Sequence, residues 1–239
     1  MSTWIRRGSE DYITVPSADG RELRRVSALE ALLHSDYARM LRAISWDIEG
    51  DFLHLIRYRY SAPGRHRASP TPARGRSWCR FANSMQSRVI DMEEARVVWA
   101  LKGSWHRQHD AQALPNGHVL IFDNFGHYDG RDGGNWSRVI ELDPATSDIV
   151  WSCAGDRTHP LQSDIRSSEQ RLPDGDTLIT ESDGGRVLEV SSAGEIVWEY
   201  ISPVRAGAHQ ELIPVATHGE RYTAEQFAPE FAASLPPAR

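Results

Sequence analysis

The chain has 239 residues, 40% hydrophobic and 25% charged, with 18 glycines and 13 prolines; this excludes collagen-like and coiled-coil chains and suits one globular domain or two small ones. Net charge is 27 − 33 = −6, which argues against broad nucleic-acid binding. No run approaches the ~18 apolar residues of a membrane span, and Cys79 and Cys153 are too few for a disulfide framework or a cysteine-based zinc site.

The start, Met1 to Gly8, has no hydrophobic stretch for a secretory signal, so the chain as written is expected to stay where it is made. Ser27-Ala-Leu-Glu30 then reads as a capping box, and Leu29, Leu32, Leu33, Met40, Leu41 and Ile44 follow at helical spacing, which predicts a helix over Ala28 to Ala43. Its apolar stripe is a packing face against sheets. From Leu55 to Arg88 there are eight arginines and no Asp or Glu, so this stretch carries +8 and the remainder −14. Arginine also supplies 26 of the 27 basic residues, a GC-rich coding bias.

Beyond that stretch the chain repeats. One block runs from His109 to Leu114, through Pro115-Asn-Gly117, then His118 to Asn124, Ser137 to Asp143 and Asp148 to Ser152. The next runs from Ser167 to Leu172, through Pro-Asp-Gly175, then Asp176 to Ser182, Arg186 to Val190 and Glu195 to Tyr200. Asn-Gly and Asp-Gly supply the positive φ that tight hairpins need, so each block reads as a four-strand meander. Ser87 to Met92 and Val97 to Trp99 form a half-copy upstream. Arg88, Arg138 and Arg186 recur at intervals of 50 and 48, and Trp99, Trp151 and Trp198 at 52 and 47. A period near 50 with four strands per unit predicts an all-β, partial β-propeller with one N-terminal helix. The expected organisation is one partial propeller domain over 1–239, with an N-terminal strand and helix in 1–50, recognisable blades in 87–204 and a tail in 205–239.

Several of these motifs resemble the arylsulfotransferase (ASST) family. They are Gly50-Asp-Phe-Leu-His54, the run from Val97 to Gln108-His-Asp110, Leu114-Pro-Asn-Gly117, Phe122-Asp-Asn124, Ser137-Arg138, Leu172-Pro-Asp-Gly175 and the ending from Tyr200 to Tyr222. The resemblance implies a fragment of a six-bladed propeller that moves a sulfuryl group from a phenolic sulfate ester to a phenol without a nucleotide or other cofactor. It implies His54, His109 and Arg131 as catalytic residues, and it makes a small aromatic sulfate and a phenol the partners. Family members are often exported. Chemically, imidazole titrates near neutrality and guanidinium forks onto oxyanions, which suits both groups to sulfuryl transfer.

Two features depart from the family pattern. The family's sulfated histidine belongs near the third-blade turn, here Glu181-Ser-Asp-Gly-Gly-Arg186, which contains no histidine. After His54 the strand pattern gives way to the arginine-rich stretch and rejoins near Val89, which reads as a segment translated out of frame. Simpler roles compete for several residues. His109 can be a satisfied structural histidine, Arg138 and Arg186 ion-pair partners on strands, and the three tryptophans anchors between blades. His106, His109, His118 and His127 with Asp110 and Asp123 lack zincin-like spacing, so no metal is expected. Glu141 to Trp151 is also similar to the tryptophan-docking repeat of quinoprotein propellers, which implies an alternative: a catalytically silent binding or scaffold propeller.

Overall fold

The computed structural model describes residues 11–43, 55–60, 76–81, 86–105, 107–127, 136–155 and 158–236. A hairpin, β1 (Tyr12–Pro16) and β2 (Glu22–Ser27), leads into a short helix, α1 (Ala28–Leu33). Three four-stranded antiparallel sheets follow, each a simple meander. Blade 1 is β3 (Leu55–Tyr60), β4 (Arg76–Phe81), β5 (Gln86–Asp91) and β6 (Arg96–Lys102). Blade 2 is β7 (His109–Ala113), β8 (Val119–His127), β9 (Trp136–Leu142) and β10 (Ile149–Cys153). Blade 3 is β11 (Ser168–Arg171), β12 (Thr177–Glu181), β13 (Arg186–Val190) and β14 (Ile196–Ile201). A largely exposed tail carries a second short helix, α2 (Pro229–Ser234). The chain is all-β and β-propeller-like, with one N-terminal helix. No helix among the described residues is long and apolar enough to cross a membrane.

The turns form as their residues require. Gly117 and Gly175 both adopt positive φ (93° and 99°), and each closes its hairpin by donating its N–H to the carbonyl of Leu114 or Leu172. Asn116 and Asp174 add a side-chain acceptor for the N–H two residues on.

Three apolar clusters bind the layers in chain order. Ile13, Leu29 and Leu32 pack with Ile90, Met92 and Val97 of blade 1. Val89 packs with Val119, Ile121, Ile140 and Leu142 of blade 2, with Trp99 against them. Leu120, Phe122 and Val139 meet Ile179, Leu188 and Val190 of blade 3, with Trp151 alongside. The inner strands β9, β12 and β13 are therefore buried on both faces, as stacked blades require, whereas β14 is exposed throughout.

Two expectations are corrected. The helix expected over Ala28 to Ala43 is broken. α1 starts as predicted, with the Ser27 side chain accepting the Glu30 N–H at 3.0 Å, but it stops at Leu33. Ser35 intervenes: its hydroxyl donates to the Leu32 carbonyl at 2.7 Å and accepts the Tyr37 N–H at 3.2 Å, a local alternative to helical bonding. A separate 3₁₀ helix then spans Ala38–Ala43. The half-copy upstream is a whole blade: β3 and β4 lie inside the arginine-rich stretch, where no strand pattern was legible.

Candidate functional site

The Gln108-His-Asp110 and Phe122-Asp-Asn124 motifs meet across β7 and β8. His109 stands opposite Phe122 in register, and Phe122 is core. Asp123, fully buried, accepts from Arg138 Nε at 3.0 Å. Asn124 Oδ1 lies 2.6 Å from His109 Nδ1, and Asn124 Nδ2 donates to the carbonyls of Ser163 and Arg166. The Arg166 N–H donates to His109 Nε2 at 3.1 Å. That nitrogen therefore accepts, and the Nδ1–H donates to Asn124 Oδ1 and toward the Arg107 carbonyl at 2.8 Å. His109 thus ties β7, the end of β8 and the crossing into blade 3 together.

The same crossing is clamped by hydroxyls. Ser137 Oγ reaches the carbonyls of Asn124 and Ser163 and accepts the Ser163 N–H at 2.9 Å. Ser167 and Ser182 exchange backbone-to-hydroxyl bonds at 2.7 and 3.0 Å. Around His109 the backbone is unusual: Arg107 (φ 50°), Asp110 (49°), Arg166 (62°) and Ser167 (74°) are all left-handed without being glycine. Each such residue costs on the order of 1 kcal/mol, and such strain clusters at functional sites. Both arginines are exposed, and Arg107 lies 5.0 Å above the Phe125 ring. Both reach His109 through the backbone, by the Arg107 carbonyl and the Arg166 N–H.

A second element reaches the same region from the tail. Arg221 pairs with Glu189, and its backbone exchanges hydrogen bonds with the Gln170 side chain at 2.7 and 3.0 Å. On blade 2 the corresponding carboxylate, Glu141, is met by Arg171 at 2.7 Å. Residues near Arg221 thus lie on blade 3 as β11 lies on blade 2. Gly219 makes this possible, because a Cβ there would stand 2.8 Å from Thr180 Oγ1. The placement brings His218 Nδ1 to 4.0 Å from Asp110 Oδ2, with Glu220 at 3.6 Å from its Nε2.

Of the three residues expected to be catalytic, His109 is placed as described; His54 and Arg131 lie outside the described residues, as does His106. His218 was missed. Its signal was spacing alone: Arg171 to Arg221 is one 50-residue period, but with no Pro-Asn-Gly or Pro-Asp-Gly turn beside it the tail does not read as a blade strand. Arg138 and Arg186 are ion-pair residues: Arg186 meets Glu181 at 3.2 Å and Glu199 at 2.5 Å. Burial pushes the Glu181 carboxyl above its ordinary value although Arg186 pulls it down. His118 belongs to a hairpin and bonds Glu141 at 2.7 Å. Among the described residues one metal-like group occurs, Asp174, Asp176 and Glu189, but Arg221 already meets the Glu189 charge.

The family model described as Arylsulfotransferase (ASST) matches residues 82–203, just over half of the chain. No curated protein matches. Among solved structures, the chain is similar to a protein of unknown function from Bacteroides caccae, at 15% identity and a TM-score of 0.50, over 81% of this chain and 60% of that one. It also matches virginiamycin B lyase from Staphylococcus aureus, at 12% identity and a TM-score of 0.43, over 81% of this chain and 49% of that one. The WD40 β-propeller domain of Doa1 matches at 15% identity and a TM-score of 0.39, over 54% of this chain and 37% of that one. The chain therefore spans less than two thirds of the length of these relatives.

Proposed function

Because the chain belongs to the arylsulfotransferase (ASST) family, we propose that it transfers a sulfuryl group from an aryl sulfate ester to a phenol. The observation that carries this reading is that the family match includes Gln108-His-Asp110 and Phe122-Asp-Asn124, and these motifs assemble around His109, whose backbone neighbours Arg107, Asp110 and Arg166 are left-handed. In this reading Arg107, Arg166 and Arg131 hold the charge on the sulfate oxygens, and His109 and His54 supply imidazole. The turn Glu181 to Arg186 carries no histidine, so the proposed transfer is direct. The acceptor oxygen bonds to sulfur, the S–O bond to the donor breaks, and the acceptor's proton ends on the departing phenolate. No cofactor enters this balance.

The test is incubation of the full chain with 4-nitrophenyl sulfate and phenol, following 4-nitrophenol release and phenyl sulfate by mass spectrometry. Turnover is expected, and His109→Ala is expected to reduce it about 100-fold or more. A well-folded chain without turnover overturns the reading. One observation favours the alternative, a silent binding or scaffold propeller: both ring nitrogens of His109 are already engaged by Asn124 and Arg166. Under that alternative His109→Ala lowers the melting temperature and there is no turnover to lose.

A further inference from the structure

Three successive inner elements place a polar residue at one equivalent position. On one face, cross-strand register in blade 2 aligns Gln112, Leu120, Glu141 and Trp151. In blade 3 it aligns Gln170, Leu178, Glu189 and Trp198. Gln112 and Gln170 being equivalent, and a bulge in β7 absorbing one residue, His109 opposite Phe122 corresponds to Ser168 opposite Thr180, with Asp110 in the bulge beside it. Arg171 and Arg221 being equivalent, Ser168 corresponds in turn to His218. Asp110 is only 2% exposed and Ser168 only 1%, and Ser168 Oγ has no hydrogen-bond partner among the described residues. His218 is partly exposed, at 32% of its side chain. Thr180, opposite Ser168 in register and beside Gly219, likewise has a buried hydroxyl with no partner among the described residues. Buried hydroxyls in native proteins are normally satisfied, and exceptions call for an explanation.

We propose that His218, oriented by Asp110, is the general base that takes the phenolic proton, with Ser168 Oγ as a hydrogen-bonding group for the phenol oxygen. A carboxylate beside one imidazole nitrogen favours a proton on that nitrogen and leaves the other as the acceptor, the arrangement that proton transfer needs. The proton balance is closed. Nε2 takes the O–H proton as the acceptor oxygen bonds to sulfur, the donor S–O bond breaks, and the imidazolium returns the proton to the departing phenolate. The phenol must displace Glu220, whose carboxylate lies 3.6 Å from Nε2. This proposal rests on the sulfuryl-transfer reading and adds to it the acceptor end of the site. It also gives the tail a role: Arg221, Gln170 and Gly219 seat a histidine where the first strand of a further blade would stand.

The experiment uses the full chain, 4-nitrophenyl sulfate and a series of acceptor phenols from weakly acidic to fully ionised at the assay pH. His218→Gln retains Arg221 and its partners, and an unchanged melting temperature verifies the fold. The expected result is a loss of about 100-fold in kcat/KM with weakly acidic phenols and little loss with ionised ones, which have no proton to give. Asp110→Asn should shift the same dependence in the same direction. Equal loss across the series, or no loss, overturns the proposal while leaving sulfuryl transfer standing. No transfer by the unsubstituted chain overturns both.

Discussion

Blades 2 and 3 present the same four side chains on the same face, yet only one set is covered. On blade 2, Trp151 is half-buried, its indole N–H donates to the Ser192 carbonyl at 2.9 Å, and the Arg171 guanidinium lies 4.7 Å above its ring while bonding Glu141. On blade 3, Trp198 is 46% exposed, with Ile196, Val197, Tyr200 and Ile201 exposed beside it. Among the described residues the tail supplies Arg221 to Glu189 but no counterpart of the Ser192 turn. Docking is therefore bipartite. An arginine arriving near the axis neutralises the glutamate, and a turn arriving at the periphery covers the tryptophan. Blade 3 has received the first half alone.

The comparison breaks most visibly at Trp151. Trp151→Ala removes the ring between blades 2 and 3, and unfolding free energy should fall by about 3 kcal/mol, measured by urea denaturation. Cys153 reports on the same junction. It is buried in that cluster, and burial pushes its thiol above the ordinary value, so little thiolate exists at neutral pH. Its labelling by iodoacetamide, mapped by mass spectrometry, should be slow in the unsubstituted chain and faster in Trp151→Ala. Labelling at the same rate in both would mean that Trp151 does not hold the junction closed.

The two glutamate–arginine pairs sharpen the contrast. Arg171 and Glu141 are both mostly buried, so Arg171→Ala leaves a buried carboxylate short of a partner and strips the cation from the Trp151 face. A cost of about 2 kcal/mol is expected. Arg221 is 44% exposed, and Arg221→Ala should cost about 0.5 kcal/mol, the scale of a solvent-screened pair. Equal costs in denaturation would show that the tail docks as firmly as a blade.

Much of this architecture was legible because turns and β-branched alternation are local: the Pro-Asn-Gly and Pro-Asp-Gly hairpins and the recurring arginines and tryptophans stand where the spacing put them. What stayed hidden is non-local. Ser35 ends α1 by competing for backbone bonds that apolar periodicity does not register. The His109 network depends on Arg166, 57 residues away, and His218 meets Asp110 only because Arg221 finds Glu189. Blade 1 was half-legible because its first two strands lack the signature of the others. Arg138 and Arg186 stand opposite Asp123 and Glu181, whereas Arg88 stands opposite Cys79.

The smallest expected effect is the most discriminating for the docking comparison. Trp198 is equivalent to Trp151 in strand position, cross-strand partner and face, so a model in which the tryptophan stabilises its own sheet predicts similar costs for removing either. A model in which it stabilises only through the layer that covers it predicts a large cost at Trp151 and less than about 0.5 kcal/mol at Trp198, since exposed apolar area contributes little when removed. Trp198→Ala measured beside Trp151→Ala in the same urea titration decides between them. A Trp198 cost approaching that of Trp151 would place the stabilisation within the blade and make covering incidental. A near-zero cost would locate it in the junction, which is where the Ser192 and Arg171 contacts put it.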